Sequence, residues 1–370
     1  MSLKEIKNAL LPSAEELEVV SGVINGFFSN KKKPLFSFLS GSIAEGIGTP
    51  NSDYDVYAVF DSCEEAEVLV VEESDRPIEI TSISLSKLES VLSYIQSGVD
   101  LASATNYQLL LCHRVYSGIG LTQSSKFDGL KEKFNVDVFR SCLAELCFLN
   151  TERSLKVCNG FLLAGDKVSA SLSANNAVKH SFNMLLAMKG ATSILEKWQM
   201  RYATQFLGDG HLALRYYLEL ISHVPCHHSQ QIDFYIQRVN NFHQFVCDYR
   251  MIEGRMTDAE FFIEPRIALA KYDGTPMVVS KTKLARVVSS ESKFYLVMDA
   301  TPVLELPKSA AFLWALIDKK TTVTELALKA GRMIDLPPNT SFEYLKAFGS
   351  VQAINIINFD FNSVSDSLMI

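Results

Sequence analysis

The chain has 370 residues, of which 48% are hydrophobic and 10% aromatic, enough for two or three packed cores. Its formal net charge of −7 disfavours a long nucleic-acid groove, although a local basic patch can coexist with an acidic total. No apolar run reaches the roughly 18 residues that span a bilayer, and no charged-then-apolar leader opens the chain, so we expect a cytoplasmic protein without a membrane partner.

The first predicted elements are a helix and a strand. Ser13 and Glu16 have the spacing of a capping box, which predicts an amphipathic helix that runs to Phe27. The pattern of residues 35–40 then predicts a short strand. The order of a helix followed by a strand leads directly into a Gly-Ser turn.

The Gly-Ser turn has the features of a phosphate-binding segment. Gly41 lacks a β-carbon, so the backbone can come close to a ligand there, and Ser42 adds a hydroxyl donor. If residues 44–47 begin a short helix, the free amide groups of its first turn face the same ligand, as at other helix starts that bind anions. We therefore predict that Gly41 and Ser42 bind phosphate.

Two carboxylates lie on the strand that follows. Ten residues separate Ser42 from Asp53, and Asp55 is two residues further on. Since the side chains of a strand alternate between its faces, Asp53 and Asp55 point the same way, while Tyr54 and Val56 pack behind them. Two neighbouring anionic groups repel each other, and a divalent cation between them removes the repulsion. The spacing therefore predicts a metal site.

A third carboxylate is expected from a neighbouring strand. Residues 76–84 form a run rich in β-branched side chains, and Glu79 lies there between two isoleucines. Its side chain therefore faces away from theirs, towards the aspartates if the strands pair. Glu72 and Glu73, on the preceding run, are the alternative sources of this carboxylate.

The Gly-Ser pair, the spacing to Asp53 and Asp55, and the later acidic strand together resemble the signature of the DNA polymerase β-like nucleotidyltransferase superfamily. In that superfamily the two aspartates bind magnesium ions, and a third carboxylate completes the metal site or acts as a base. The resemblance implies these catalytic and metal-binding roles for Asp53, Asp55 and Glu79, with Mg²⁺ or Mn²⁺ as cofactor and an NTP as substrate. Many small-substrate members carry a basic residue soon after the Gly-Ser pair, where this chain has Ile43 and Glu45.

The catalytic domain is predicted to span residues 1–130. Strands continue to about Ser84, and a polar stretch with helical spacing then runs through Tyr94. Residues 115–120 are interpreted as one more strand and turn. These elements predict a mixed sheet with helices.

Residues 131–255 are predicted to form a helical domain. From about residue 136 to residue 250, leucine and phenylalanine recur at steps of three and four, which is the helical period. In the superfamily such a domain commonly lies across the cleft from the catalytic sheet and helps to hold the nucleotide or the acceptor. Lys179 and Lys197 are our candidates for contacting a triphosphate, and a solvated helix face is the alternative for both.

A third module is predicted over residues 256–370, within and after a linker-like stretch with glycine and proline at 254–276. Residues 294–297 and 302–306 alternate as a hairpin, and residues 309–331 have the pattern of two helices. The placement of the hydrophobic residues resembles that of the PqqD-type winged-helix module, a peptide-binding element of enzymes that modify ribosomally made peptides. A generic winged-helix domain for dimerisation or docking is the alternative.

Together the patterns and the resemblance predict an α+β enzyme with a polymerase β-like nucleotidyltransferase mixed sheet, a helical domain and a small winged-helix-like module. Such an enzyme transfers a nucleoside monophosphate, with ATP as the favoured donor, to a hydroxyl or similar nucleophile and releases pyrophosphate. The expected partners are the NTP and an acceptor small molecule, peptide or protein, with nucleic acid disfavoured. A catalytically silent nucleotide-binding scaffold and an RNA-end nucleotidyltransferase are the alternatives.

Overall fold

The computed structural model divides the chain into two compact units, one of residues 1–149 and 183–210 and the other of residues 150–182 and 211–370. The division predicted from the sequence, at residues 130 and 255, stays a prediction, and the stretch 254–276 lies outside the described residues. The structure describes residues 11–62, 68–72, 76–97, 104–193, 195–225, 229–252, 277–282, 285–290, 293–298, 301–318, 321 and 323–358.

The N-terminal part of the chain combines helices with one mixed sheet. Its elements are α1 (Ala14–Phe27), β1 (Phe36–Ser40), α2 (Gly41–Ala44), β2 (Tyr54–Phe60), β3 (Val68–Val71), β4 (Ile78–Ser84), α3 (Leu85–Gln96), α4 (Asn106–Ser117), β5 (Ile119–Gly120) and α5 (Ser124–Glu132). The five strands have the order β3-β4-β2-β1-β5. Strands β2 and β4 are parallel, and the other neighbouring strands are antiparallel. The predicted mixed sheet is confirmed.

The two faces of this sheet are covered by different elements. On one face, Val56 of β2 packs in a hydrophobic cluster with Ile24 of α1. On the other face, the ring of Phe38 stacks on Tyr57 with centroids 5.1 Å apart and on Phe127 of α5 with centroids 4.5 Å apart. Because side chains alternate along a strand, the residue two positions before Tyr57 lies on this second face.

Helix α1 begins at the predicted capping box. The Ser13 hydroxyl accepts a hydrogen bond from the backbone N–H of Glu16 at 3.1 Å, and the Ser13 N–H donates to the Glu16 carboxylate at 2.7 Å. The helix ends at Phe27, so the predicted bounds are confirmed. These two residues alone provide acceptors for two backbone N–H groups at the helix start. The Ser13–Glu16 spacing in the sequence is therefore sufficient to predict where the helix begins.

The prediction for residues 115–120 was wrong in its first half. Val115 lies inside α4, and only Ile119 and Gly120 form the strand β5. A second capping box, between Thr105 and Gln108, begins this helix. Val115 is fully buried, so its contacts with the core outweigh the preference of a β-branched residue for a strand.

The middle of the chain is helical, as predicted. Its elements are α6 (Val136–Leu163), α7 (Lys167–Met188), a 3₁₀ turn (Glu196–Trp198), α8 (Gln199–Phe206), α9 (Leu212–Ser222) and α10 (Ser229–Ile252). Within the part of the chain that the structure describes, no helix is both long enough and apolar enough to cross a membrane.

A buried polar cluster lies in the second unit around His243 of α10. Its Nε2 lies 2.9 Å from a Glu152 oxygen and its Nδ1 lies 3.0 Å from the Ser181 hydroxyl. Arg286 donates to the second Glu152 oxygen. Burial by itself lowers the pKa of His243, but the contacts with Cys247 and Glu152 outweigh burial and raise the pKa to about 9.

The C-terminal part has small sheets with helices. Its elements are β6 (Met277–Lys281), β7 (Ala285–Ser290), β8 (Lys293–Met298), β9 (Thr301–Leu306), α11 (Lys308–Ala315), α12 (Val323–Ile334), α13 (Pro338–Ser350) and β10 (Ile354–Asn358). Strands β7, β8 and β9 form an antiparallel sheet, and β6 pairs with β10. The predicted hairpin and the two predicted helices are therefore confirmed, and the chain as a whole is α+β.

The core of this C-terminal part is apolar, and the ion pair of Lys281 lies at its border. Trp314 of α11 is fully buried, and its ring meets Phe348 of α13 edge to face with centroids 5.3 Å apart. Lys281 of β6 donates to the carboxylate of Asp248 on α10, and its ammonium lies 5.3 Å from the Trp314 ring centroid. The resemblance of this part to the PqqD-type module stays a prediction.

Candidate functional site

Three carboxylates come together at the N-terminal ends of the parallel strands β2 and β4. Asp55 pairs with Glu79 across the ladder, and Asp53 immediately precedes Tyr54, the first residue of β2. One carboxylate oxygen from each of the three acidic residues lies within 4.8 Å of the other two. All three are partly buried. Hard oxygen donors at this separation match the ligand preference of Mg²⁺ and Mn²⁺, so the group can hold a divalent cation.

The alternation along β4 explains why Glu79 joins the aspartates. Ile78 and Ile80 are fully buried in the cluster with α1, so the side chain between them lies on the opposite face. Glu72 is exposed directly after β3 and is not part of the carboxylate group, while Glu73 lies outside the described residues. Of the candidates that the structure describes, Glu79 is thus the one that meets the two aspartates.

The Gly-Ser turn packs against the carboxylates through Gly41. This residue has φ +75°, and a β-carbon placed on it would lie 2.0 Å from Oδ2 of Asp55. The close approach predicted for a ligand is therefore made by a side chain of the protein itself. The helical turn begins at Gly41 and ends at Ala44, so the prediction of a helix that begins at 44–47 was wrong, because the positive φ lets the chain turn directly out of β1. Ser42 is buried within this turn.

A half-buried arginine contacts the site from α4. Arg114 Nη2 donates to Asp55 Oδ1 at 3.2 Å, and Nη1 donates to the Tyr57 hydroxyl at 2.8 Å. The guanidinium carbon lies 5.4 Å from the Tyr57 ring centroid. The side chains of Arg114 and Asp55 are 19% and 17% exposed. One oxygen of Asp55 is thus already paired with a cation from the protein.

Opposing effects act on the protonation of Asp55. Burial raises the pKa of Asp55 above its usual value, and Arg114 lowers it. The nearby charges of Asp53 and Glu79 raise the pKa further, while Lys197 lowers it, and the net shift is upward. The like-charge repulsion predicted from the sequence is therefore present between these carboxylates.

The two predicted lysines have different surroundings. Lys197 lies exposed in the 3₁₀ turn of the first unit, where its ammonium is 5.5 Å from the Trp198 ring centroid and its charge acts on Asp55. Lys179 lies half-buried on α7, within the residues of the second unit. Contact of either lysine with a triphosphate stays a prediction.

Glu45, which directly follows α2, has hydrogen-bonding partners on α4 and α8. Its Oε1 lies 2.9 Å from His113 Nε2, and its Oε2 accepts a hydrogen bond from the Tyr202 hydroxyl at 2.7 Å. The other ring nitrogen of His113 lies 2.9 Å from the Thr192 hydroxyl. Glu45 therefore joins the segment after α2 to α4 and α8, which holds the Gly-Ser turn in place.

Comparison with known proteins shows a distant likeness among solved structures. No family model matches the chain, and no curated protein matches it. Among solved structures, the chain is similar to a nucleotidyltransferase-like protein from Exiguobacterium sibiricum 255-15, with 14% sequence identity and a TM-score of 0.39 over 67% of this chain and 79% of that chain. At this identity and TM-score the likeness identifies neither a family nor an activity for the chain.

Sequence reasoning missed Arg114, Tyr57 and Glu45 as parts of the site. Tyr57 had a usable signal, since it is two residues from Asp55 on a strand and must share its face. Arg114 also had one, because a single charged residue in the apolar run 109–115 needs a partner once that helix is buried. The contacts of Glu45 had no local signal.

Proposed function

We propose that this protein is a metal-dependent nucleotidyltransferase. It transfers a nucleoside monophosphate from an NTP, with ATP as the favoured donor, to a hydroxyl or similar nucleophile of a small molecule, peptide or protein. The observation that supports this function is the convergence of Asp53, Asp55 and Glu79 beside the Gly41 turn. Three partly buried carboxylates this close together are costly unless cations compensate them, and the hydrogen bond from Arg114 engages one of the three, Asp55.

The residues of the site divide the work of such a transfer. Asp53, Asp55 and Glu79 would hold Mg²⁺ or Mn²⁺, which when bound neutralises charge on phosphate oxygens. The backbone at Gly41 and the hydroxyl of Ser42 orient the phosphates, and Lys179 and Lys197 are the proposed cationic contacts of the triphosphate.

The bond changes of the proposed transfer are those of an in-line displacement. The acceptor oxygen forms a bond to the α-phosphorus, the bond from that phosphorus to the bridging oxygen breaks, and pyrophosphate leaves with the electron pair. The acceptor proton passes to a carboxylate, for which Glu79 is the candidate if it acts as a base. Because the chemistry needs little covalent participation from the protein, positioning and charge compensation supply most of the acceleration.

The C-terminal sheet is our candidate for presenting a peptide acceptor. Strand β9 is at the edge of the sheet β7-β8-β9, and an edge strand offers unpaired backbone groups to which an extended peptide can add. The resemblance to the PqqD-type module supports the same use. A small-molecule acceptor would leave this sheet without a role in the transfer.

The test of the proposed function is pyrophosphate release by the full chain. Each of the four NTPs is supplied in labelled form with Mg²⁺ or Mn²⁺, together with separate pools of small molecules, peptides and RNA from a lysate. We expect metal-dependent release with one favoured NTP, loss of release in Asp53→Asn, and full release in the control Asp61→Asn, whose exposed carboxylate lies just after the other end of β2.

The outcomes separate the proposed function from its alternatives. Wild-type release by Asp53→Asn would show that the metal site is misassigned. Nucleotide binding without release from any pool would favour the silent scaffold, and label on RNA would favour an RNA-end nucleotidyltransferase.

A further inference from the structure

We infer that Arg114 sets the metal affinity of the carboxylate group by acting as a built-in cation that competes with the divalent ion for Asp55. The inference rests on the proposed function, because it concerns the same site. It starts from the pairing of Arg114 Nη2 with Asp55 Oδ1 at 3.2 Å, within a group whose oxygens lie within 4.8 Å of one another.

The charges of the site support this role. With all three carboxylates ionised, Asp53, Asp55 and Glu79 contribute three negative charges, and Arg114 contributes one positive charge. A guanidinium stays protonated at every ordinary pH, so this positive charge is permanent. Arg114 therefore reduces the net negative charge that attracts a divalent cation by one elementary charge. In addition, Oδ1 of Asp55 already accepts a hydrogen bond from Arg114.

The fold keeps the guanidinium where it is. Arg114 donates to the Tyr57 hydroxyl at 2.8 Å as well as to Asp55, and the neighbours His113 and Val115 on α4 are both buried. His113 is itself held between Glu45 and Thr192 at 2.9 Å from each. The hydrogen bonds to Asp55 and Tyr57 therefore hold the guanidinium beside the carboxylates, where its charge acts on an entering cation.

Removing this charge should tighten metal binding. A unit positive charge about 7 Å from a divalent cation raises the dissociation constant of that cation roughly tenfold, even at the dielectric constant of water. We therefore expect Arg114→Gln to bind Mn²⁺ about tenfold more tightly than the wild type. The same variant should be less stable without metal, because it leaves Asp55 without its partner.

In the experiment, Mn²⁺ is titrated into the full chain in the absence of nucleotide. Binding is measured by calorimetry and by the EPR signal of the free ion. Thermal unfolding is measured with and without Mn²⁺. Arg140→Gln is the matched control, because Arg140 is also half-buried and bonds a tyrosine hydroxyl, that of Tyr116 at 3.2 Å, but its ion-pair partner Asp137 is outside the carboxylate group. We expect its Mn²⁺ affinity to equal that of the wild type.

Arg114→Lys tests whether the charge is responsible. It keeps the positive charge, so its affinity should stay within about threefold of the wild type, and this comparison remains informative if Arg114→Gln does not fold. Unchanged or weaker Mn²⁺ binding by a folded Arg114→Gln, or equally tight binding by the Lys and Gln variants, would overturn the inference.

The proposed metal site can fail separately. No Mn²⁺ binding by the wild type overturns both the site and the inference. If the wild type binds Mn²⁺ and Asp53→Asn abolishes this binding while Arg114→Gln leaves it unchanged, only the role of Arg114 is refuted. A purely structural arginine would lower the unfolding temperature without raising the Mn²⁺ affinity.

Discussion

Replacement of Gly41 by alanine should damage both the stability and the metal site. The residue has φ +75°, and a β-carbon there would lie 2.0 Å from Asp55 Oδ2 and 2.9 Å from Asp55 Cγ. The Asp55 side chain must therefore move, and its 3.2 Å contact with Arg114 is lost.

The expected cost has two parts. The left-handed backbone costs a residue with a β-carbon about 1–2 kcal/mol. Loss of a charged hydrogen bond adds about 1.5–3 kcal/mol, of which we expect the lower end because both side chains are partly exposed to solvent. We therefore expect Gly41→Ala to lower the free energy of unfolding by about 2–4 kcal/mol and to abolish tight Mn²⁺ binding.

Gly165→Ala separates the two parts. Gly165 lies between α6 and α7 with φ +78°, and a β-carbon there meets no atom within 4 Å. The Gly165→Ala variant is therefore expected to lose only the free energy that a left-handed backbone costs a residue with a β-carbon. Urea unfolding measures the free energy for both variants, and Mn²⁺ calorimetry measures the site. If Gly41→Ala is no less stable than Gly165→Ala and binds Mn²⁺ like the wild type, the close approach of Gly41 to Asp55 is refuted.

Three further predictions concern single charged residues. Glu79→Gln should weaken Mn²⁺ binding in calorimetry without loss of stability, because it removes a ligand and relieves like-charge repulsion; unchanged affinity would mean that Glu79 is not a ligand. Lys281→Met should lower the free energy of unfolding, measured by urea unfolding, by about 3–5 kcal/mol, since it leaves the buried carboxylate of Asp248 without its partner. Adding the second change Asp248→Leu should restore most of this loss. Because the pKa of His243 is raised to about 9, its protonated form stabilises the fold below about pH 6.5, and this contribution of up to about 3 kcal/mol is lost as the pH rises through 9. The slope of stability with pH in this window should disappear in His243→Gln.

Features that depend on a few neighbouring residues were determined by the sequence alone. The capping box of Ser13 and Glu16, the long helices of the middle region and the shared face of Asp53 and Asp55 all follow from spacings of two to four residues. At such distances the backbone geometry fixes which side chains meet, whatever the rest of the fold does. The orientation of Glu79 away from its isoleucine neighbours was predictable for the same reason.

The partners of the site residues were decided only by the tertiary structure. Asp55 meets Arg114 across 59 residues of sequence, and Glu45 meets Tyr202 across 157. The parallel pairing of β2 with β4 likewise depends on β3 lying at the edge of the sheet. No local pattern encodes such contacts, because the burial of whole helices and strands determines which surfaces meet, and the side chains at those surfaces acquire their partners only then.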